Sequence, residues 1–244
     1  MDDLGHTRSA RRPDHLLHTP DTFVRTGLPG LSNGVAIVHV SPAHGAAFTQ
    51  YTAELKSGGT LGPAPTQRFV YVVSGAVDLA TGSSSRSLSV GGYAYVPPGL
   101  DHTLTASAPA RLAIIEKPYA PLAEVVAPHL LIGSEPDVPS TALNGDPDLQ
   151  VRSLLPDHHA FDFAVNTMTY QPGAALSQVE VHVMEHGLLM LSGGGIYRLS
   201  DAWYSVTVGD FIWMAPFCPQ WFGAIGKQPA KYLIYKDWNR HPLG

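Results

Sequence analysis

Two stretches of this chain follow one plan. Phe69-Val-Tyr-Val-Val-Ser-Gly75 leads to Gly91-Gly-Tyr-Ala-Tyr-Val-Pro-Pro-Gly-Leu-Asp-His102, and Gly187-Leu-Leu-Met-Leu-Ser-Gly193 leads to Gly209-Asp-Phe-Ile-Trp-Met-Ala-Pro-Phe-Cys-Pro-Gln220. In both, the glycines stand 16 residues apart, a polar residue follows 11 after the second glycine, and the copies are offset by 118. A coincidence of three spacings predicts a duplicated domain. Each copy reads as strand, Ser-Gly turn, strand, turn, strand, Pro-rich loop, strand, a pattern that closes into antiparallel barrels or sandwiches. The 24 glycines and 21 prolines, set among short Val-, Ile-, Tyr- and Phe-rich runs, leave little room for long helices, so the fold class expected is all-β. The copies are placed at 1–117, with an N-terminal arm, and 158–244. The Pro-, Ala- and Asp-rich region 118–157 between them is read as a linker, in which part of VVAPHLLIG can form a strand.

Charge and cysteine content narrow the partners. A net charge of −5, 14% charged residues and no Lys/Arg run give no electrostatic grip on nucleic acid or an anionic membrane, which leaves a small-molecule partner. Cys218 stands alone in the sequence and cannot form an internal disulfide. The opening MDDLGHTRSARRPDHLLHTP has no apolar core of a signal peptide, and no 18-residue apolar span follows. A soluble, cytoplasmic protein is expected.

The segment Val179-Glu180-Val181-His182-Val183-Met184-Glu185-His186-Gly187 sets ionisable groups into a β-prone run. In a strand Glu180, His182, Met184 and His186 share one face, and Val179, Val181, Val183 and Glu185 share the other. If the valines face an outer layer, the first face lines the barrel interior, where unpaired ionisable groups are costly and a divalent metal removes the cost. Imidazole with carboxylate suits Mn, Fe, Zn, Co or Ni, and Gln220 is the candidate fourth ligand from a neighbouring strand. The competing reading is a metal-free, hydrogen-bonded polar network.

The spacing Glu180, His182, His186, Gly193 resembles the first cupin motif, and Gly91 to His102 and Gly209 to Gln220 resemble the second. The ligand set departs from the usual three histidines and one glutamate, with Glu first and Gln last. Together with GDFIWMAPFCPQ, YLIYKDWNR, TPDTFVR and FDFAVNTMTYQPG, it resembles the bicupin (S)-ureidoglycine aminohydrolases of purine breakdown, a likeness covering most of the chain. The resemblance implies a bicupin of two tandem barrels, one Mn²⁺ per chain in the second, and conversion of (S)-ureidoglycine and water to (S)-ureidoglycolate and ammonia. It also implies metal ligation by Glu180, His182, His186 and Gln220 and substrate contact by Lys236, Tyr197 and Tyr232; catalytic roles are then expected of Glu180, whose carboxylate can accept and return a proton, and of Lys236, which would neutralise the substrate carboxylate. Bicupin relatives commonly associate, and exposed sheet edges give a physical reason to expect a homo-oligomer.

Moving the four ligand positions back by 118 lands on Gly62, Ala64, Arg68 and His102, so the first copy is expected to hold no metal and to serve structurally. Glu185 is expected to be a surface or interlayer carboxylate, His158 and His159 solvated, Cys218 a packed thiol, and the four tryptophans core or interface residues. Lys236 shares a strand face with Tyr232 and Ile234, and it either reaches solvent or meets an anion. Two other functions stay open. A dioxygenase acting on a small acid would consume oxygen with Fe²⁺, and a ligand-binding bicupin would bind without turnover.

Overall fold

The two Ser-Gly turns that announce the repeat are built alike, for a steric reason. Gly75 and Gly193 have φ of 76° and 64°. A Cβ on Gly75 would stand 2.5 Å from the carbonyl oxygen of Pro109, and one on Gly193 2.6 Å from that of Pro229. Glycine is therefore demanded twice over, by the left-handed backbone and by the approach of the chain where it enters Ala110–Lys117 and Ala230–Lys236. The computed structural model describes residues 6–238 and 240 and is almost entirely β-structure, with the same strand succession in each copy.

Two compact units result. One comprises Val24–Val138 and His159–Phe161. Its sheet runs Leu131–Ser134, Gly92–Val96, Gln67–Ser74, Ala110–Lys117, Thr49–Leu61, Thr103–Ala106, Ala76–Thr81, Ser84–Ser89, with Leu31–Val40 also beside Thr49–Leu61. Alternate residues of these strands (Val70, Val72, Leu112, Ile114, Leu104) point inward to a fully buried core.

The other unit comprises the described residues up to Phe23, Pro139–His158 and those from Asp162 onward. Its larger sheet runs Ala10–Arg11, His15–His18, Phe211–Met214, His186–Ser192, Ala230–Lys236, Ala164–Tyr170, Asp146–Ser153, Thr141–Leu143. A smaller sheet orders Ala202–Thr207, Gly194–Leu199 and Gln220–Ala224. A core of Leu17, Tyr170, Leu188, Ile212, Tyr197, Leu199 and Phe222 draws on both sheets.

The domain boundaries read from sequence need correction at two places. The arm was grouped with the N-terminal copy, yet His15–His18 pairs with Phe211–Met214, setting Leu17 opposite Ile212, both fully buried. Arg8 reinforces that attachment through a two-pronged ion pair with the buried Asp210, at 2.5 and 2.9 Å. The edge of a sheet takes whichever segment supplies matching backbone groups, and His15–His18 does so while burying His15 and Leu17. The linker region is also more ordered than read. Leu131–Ser134 pairs with Gly92–Val96, as the VVAPHLLIG reading allows, and Thr141–Leu143 folds back on Asp146–Ser153. The turn at Asn144-Gly145, φ 52° and 82°, is the Asn-Gly hairpin signal, which the sequence carried in ALNGDP.

Candidate metal centre and active site

The segment Val179–Glu185 is not the strand the alternation predicts. Glu180 exchanges two backbone hydrogen bonds with Gln220 (2.8 and 2.9 Å), and the Phe217 amide donates to the His182 carbonyl (2.8 Å). This part therefore lies along the free edge of the smaller sheet as an isolated bridge. From His186 the chain enters the larger sheet, pairing with Met214 on one side and Lys236 on the other. A strand cannot belong to both sheets without a bend, and the residues between His182 and His186 make it. The expected facing survives the broken strand, because Glu180, His182, Met184 and His186 all line one cavity. Val179 and Val181 face solvent, 36% and 58% exposed, instead of packing under a layer.

That cavity, of about 250 Å³, is lined by all seven residues singled out in the sequence: Glu180, His182, His186, Tyr197, Gln220, Tyr232 and Lys236. The bridge between Glu180 and Gln220 sets these two side chains next to one another, since directly opposed residues project to the same face. Nε2 of His182 lies 3.2 Å from Nε2 of His186 and 2.7 Å from the Gln220 amide, with the Glu180 carboxylate at 4.0 Å. The Nδ1–H of His186 donates to the Tyr235 carbonyl (3.2 Å), which leaves Nε2 with its lone pair toward the cavity. Burial lowers the pKa of both histidines, His186 well below the usual range, so both rings are neutral donors. Tyr197 donates to the Gln220 amide oxygen at 3.4 Å. A tyrosine hydroxyl both gives and takes a proton, so it serves either end of the amide.

The rest of the cavity is apolar or protonated. Tyr232 hydrogen-bonds Tyr170 (2.8 Å) and the Met168 sulfur (3.3 Å), and burial first of all raises the pKa of Tyr197, Tyr232 and Tyr170. Lys236 has its pKa lowered by burial, while Glu180 and Asp157 pull it back up. The side chain is partly buried and lines the cavity. Sequence reasoning missed Tyr170, Met168 and Trp238. Trp238, 54% exposed, lines the cavity mouth although the tryptophans were assigned to core or interface. The missing signal was pairing: Ala164–Tyr170 lies beside Ala230–Lys236, and nothing local in FDFAVNTMTY states that.

The remaining candidates stand apart from this cavity. Glu185 is a buried carboxylate, 3% exposed, accepting from the Trp213 indole at 2.8 Å. His158 and His159 are exposed. Cys218 is buried with its thiol pushed up to about 11 by burial, the packed thiol expected. With Asp14 and His15 it forms a cluster of ligand-type atoms within 4.8 Å of one another. There, however, both His15 nitrogens are engaged, Nδ1 with Asp14 and Nε2 with the Tyr204 hydroxyl, each at 2.9 Å.

In the first copy the equivalent place is filled by the chain itself. Arg68, in register with Glu116 as His186 is with Lys236, donates from Nε and Nη2 to Oε1 of Glu116 at 2.8 and 2.7 Å. Its Nη1 reaches the Gly62 carbonyl (2.6 Å) and Nε2 of His102 (2.8 Å). A guanidinium thus takes the place of His186 and reaches the counterparts of Glu180 and Gln220, with a carboxylate where the second copy has lysine.

Residues 42–119 match the EutQ-like cupin domain and residues 166–235 the Cupin domain. The chain is 44% identical to the (S)-ureidoglycine aminohydrolase of Arabidopsis thaliana, over 98% of this chain and 80% of that protein. It is 31% identical to the (S)-ureidoglycine aminohydrolase of Escherichia coli K12, over 97% and 93%. The crystal structure of protein Ylba from E. coli superposes with a TM-score of 0.86 at 29% identity, covering 98% of this chain and 97% of that one.

Proposed function

Because the chain belongs to the (S)-ureidoglycine aminohydrolase family of cupins, we propose that the cavity of Glu180, His182, His186 and Gln220 is where it releases ammonia from (S)-ureidoglycine. It is an enzyme, and water replaces the substrate amine to give (S)-ureidoglycolate. The observation that carries the site assignment is the convergence of seven residues from four segments of the chain on one cavity.

The donor set fits a metal cofactor. Two neutral imidazoles whose Nε2 atoms stand 3.2 Å apart repel unless a proton or cation lies between them, and an amide and a carboxylate complete the set. Nitrogen and oxygen donors in this mixture suit a first-row divalent ion, and Mn²⁺, one per chain, is the proposed occupant by family resemblance. Such an ion, when bound, supplies positive charge that polarises a substrate oxygen or water. Lys236 neutralises the substrate carboxylate, offsetting its lost hydration in a largely apolar cavity. Tyr197 and Tyr232, held protonated, donate to the polar ends, and Glu180 accepts and returns a proton as the amine leaves.

Among the described residues no helix is long and apolar enough to cross a membrane. The cytoplasm is the compartment proposed, and a homo-oligomer the assembly, on the family resemblance. The test couples metal analysis with ammonia release from freshly made substrate, minus a no-enzyme control. Lys236→Met keeps the stem and deletes the charge. A charge-assisted bond of about 1.5–3 kcal/mol predicts a roughly ten- to hundredfold loss of kcat/KM at unchanged metal content. Absence of enzymatic ammonia from metal-loaded wild type overturns the function, and a wild-type Lys236→Met overturns the lysine's role.

A further inference from the structure

Lys236 carries a charge at the end of an apolar strand, and what holds that charge in place is not a metal ligand. Asn166 is buried, 6% exposed, on the neighbouring strand. Its register partner is Ile234, and that of Lys236 is Ala164. The small side chain of Ala164 leaves room for a diagonal contact between Asn166 and Lys236. An ammonium has no acceptor, so the amide atom facing it must be oxygen. With the amide so oriented, Oδ1 accepts from Nζ of Lys236 at 2.9 Å and the amide NH₂ donates to the Val165 carbonyl at 3.0 Å. Both ends of the amide are then satisfied, which fixes its orientation. Asn166, Lys236 and Trp238 also line a second small cavity with Ala164 and Asp157, separate from the volume that holds His182 and His186.

We propose that Asn166 is a positioning residue for the reaction: it aims the Lys236 ammonium at the substrate carboxylate without neutralising it. The proposal rests on the lysine's assignment above. A neutral acceptor is the point of the arrangement. An aspartate here would form a permanent ion pair with Lys236 and compete with an anionic substrate for the same three protons, whereas an amide orients the ammonium and leaves its charge for the ligand. Glu180 and Asp157 are the carboxylates near enough to act on Lys236, and the 2.9 Å hydrogen bond from its ammonium is accepted by Asn166.

The experiment measures kcat, KM, metal content and melting temperature for wild type, Asn166→Leu, Asn166→Asp, Lys236→Met and the double variant Asn166→Leu/Lys236→Met. Asn166→Leu is expected to lower kcat/KM about tenfold, and the double variant to match Lys236→Met within about twofold, because Asn166 acts through the lysine. Asn166→Asp, nearly isosteric and therefore expected to fold, should raise KM about tenfold or more at wild-type metal content. That rise is a readout a packing role would not give. If the single-variant losses multiply in the double variant, or if Asn166→Asp keeps the wild-type KM, the positioning role is overturned while the lysine's stands. If Lys236→Met itself behaves as wild type, the assignment of the lysine falls and this inference with it.

Discussion

Replacing Arg68 by methionine tests the idea that the first barrel exchanged a bound cation for one of its own. The arginine side chain is 3% exposed and Glu116 is 20% exposed. The substitution preserves most of the stem and removes four contacts: two to Glu116 at 2.7 and 2.8 Å, one to Gly62 at 2.6 Å and one to His102 at 2.8 Å. What remains is a carboxylate held by the Tyr51 hydroxyl at 2.8 Å, together with a carbonyl and an imidazole nitrogen that have lost the arginine. Breaking a buried ion pair from one side costs about 3–5 kcal/mol. Water reaches a fifth of the Glu116 side chain, which places the expected loss near the lower end, about 3 kcal/mol. At about 2–4 °C per kcal/mol for a chain of this size, the melting temperature should fall by about 6–12 °C. Thermal unfolding followed by circular dichroism reads the shift. Adding Glu116→Gln deletes the stranded charge while keeping an acceptor for Tyr51, so Arg68→Met/Glu116→Gln should regain a substantial part of the loss. Metal content per folded chain should not change, since no residue lining the catalytic cavity belongs to the unit containing Arg68. A melting temperature within about 3 °C of wild type, or a double variant no more stable than Arg68→Met, would refute the idea that the arginine serves the first barrel as its own cation.

Other outcomes follow from the same geometry. His182→Ala and His186→Ala should each abolish tight metal retention, since either leaves an incomplete, oxygen-dominated set, whereas His102→Ala should leave metal content alone; elemental analysis after gel filtration decides both. Gln220→His should hold metal as tightly or more tightly while changing turnover, because imidazole is the stronger donor, and unchanged rate and metal preference would show the amide to be incidental. His102 titrates below the ordinary imidazole value of about 6.5, first because it is buried and also because Arg68 faces it, against the raising effects of the Leu100 carbonyl, Asp101 and Glu116. The unfolded chain therefore takes up a proton near pH 6.5 that the folded chain refuses, and stability should fall as pH drops below that value. His102→Gln, which puts in the first barrel the residue the second carries there, should flatten the slope in denaturant titrations between about pH 6.5 and 5, and an unaltered slope would contradict the assignment.

The sequence by itself determined what is local. Glycine at 75 and 193, two-residue alternation, the Pro-rich loops and the 118-residue offset follow from sterics and periodicity acting within a few residues, and they specify a doubled antiparallel β-fold with its degenerate first copy. The facing of Glu180, His182 and His186 was legible too, because an extended segment alternates whether or not it joins a ladder. Tertiary structure decided which segments meet. No pattern in DHLLH announces that it will complete a sheet with Phe211–Met214, and no pattern in VEVHVMEH marks the bend at which it leaves one sheet for another. Nor does anything in FAVNT say that Asn166 will face Lys236, or anything in TQRF that Arg68 will reach Glu116, Gly62 and His102. Those contacts depend on sheet register between strands distant in the chain, which is set by the closing of the whole barrel and has no signature in the residues themselves.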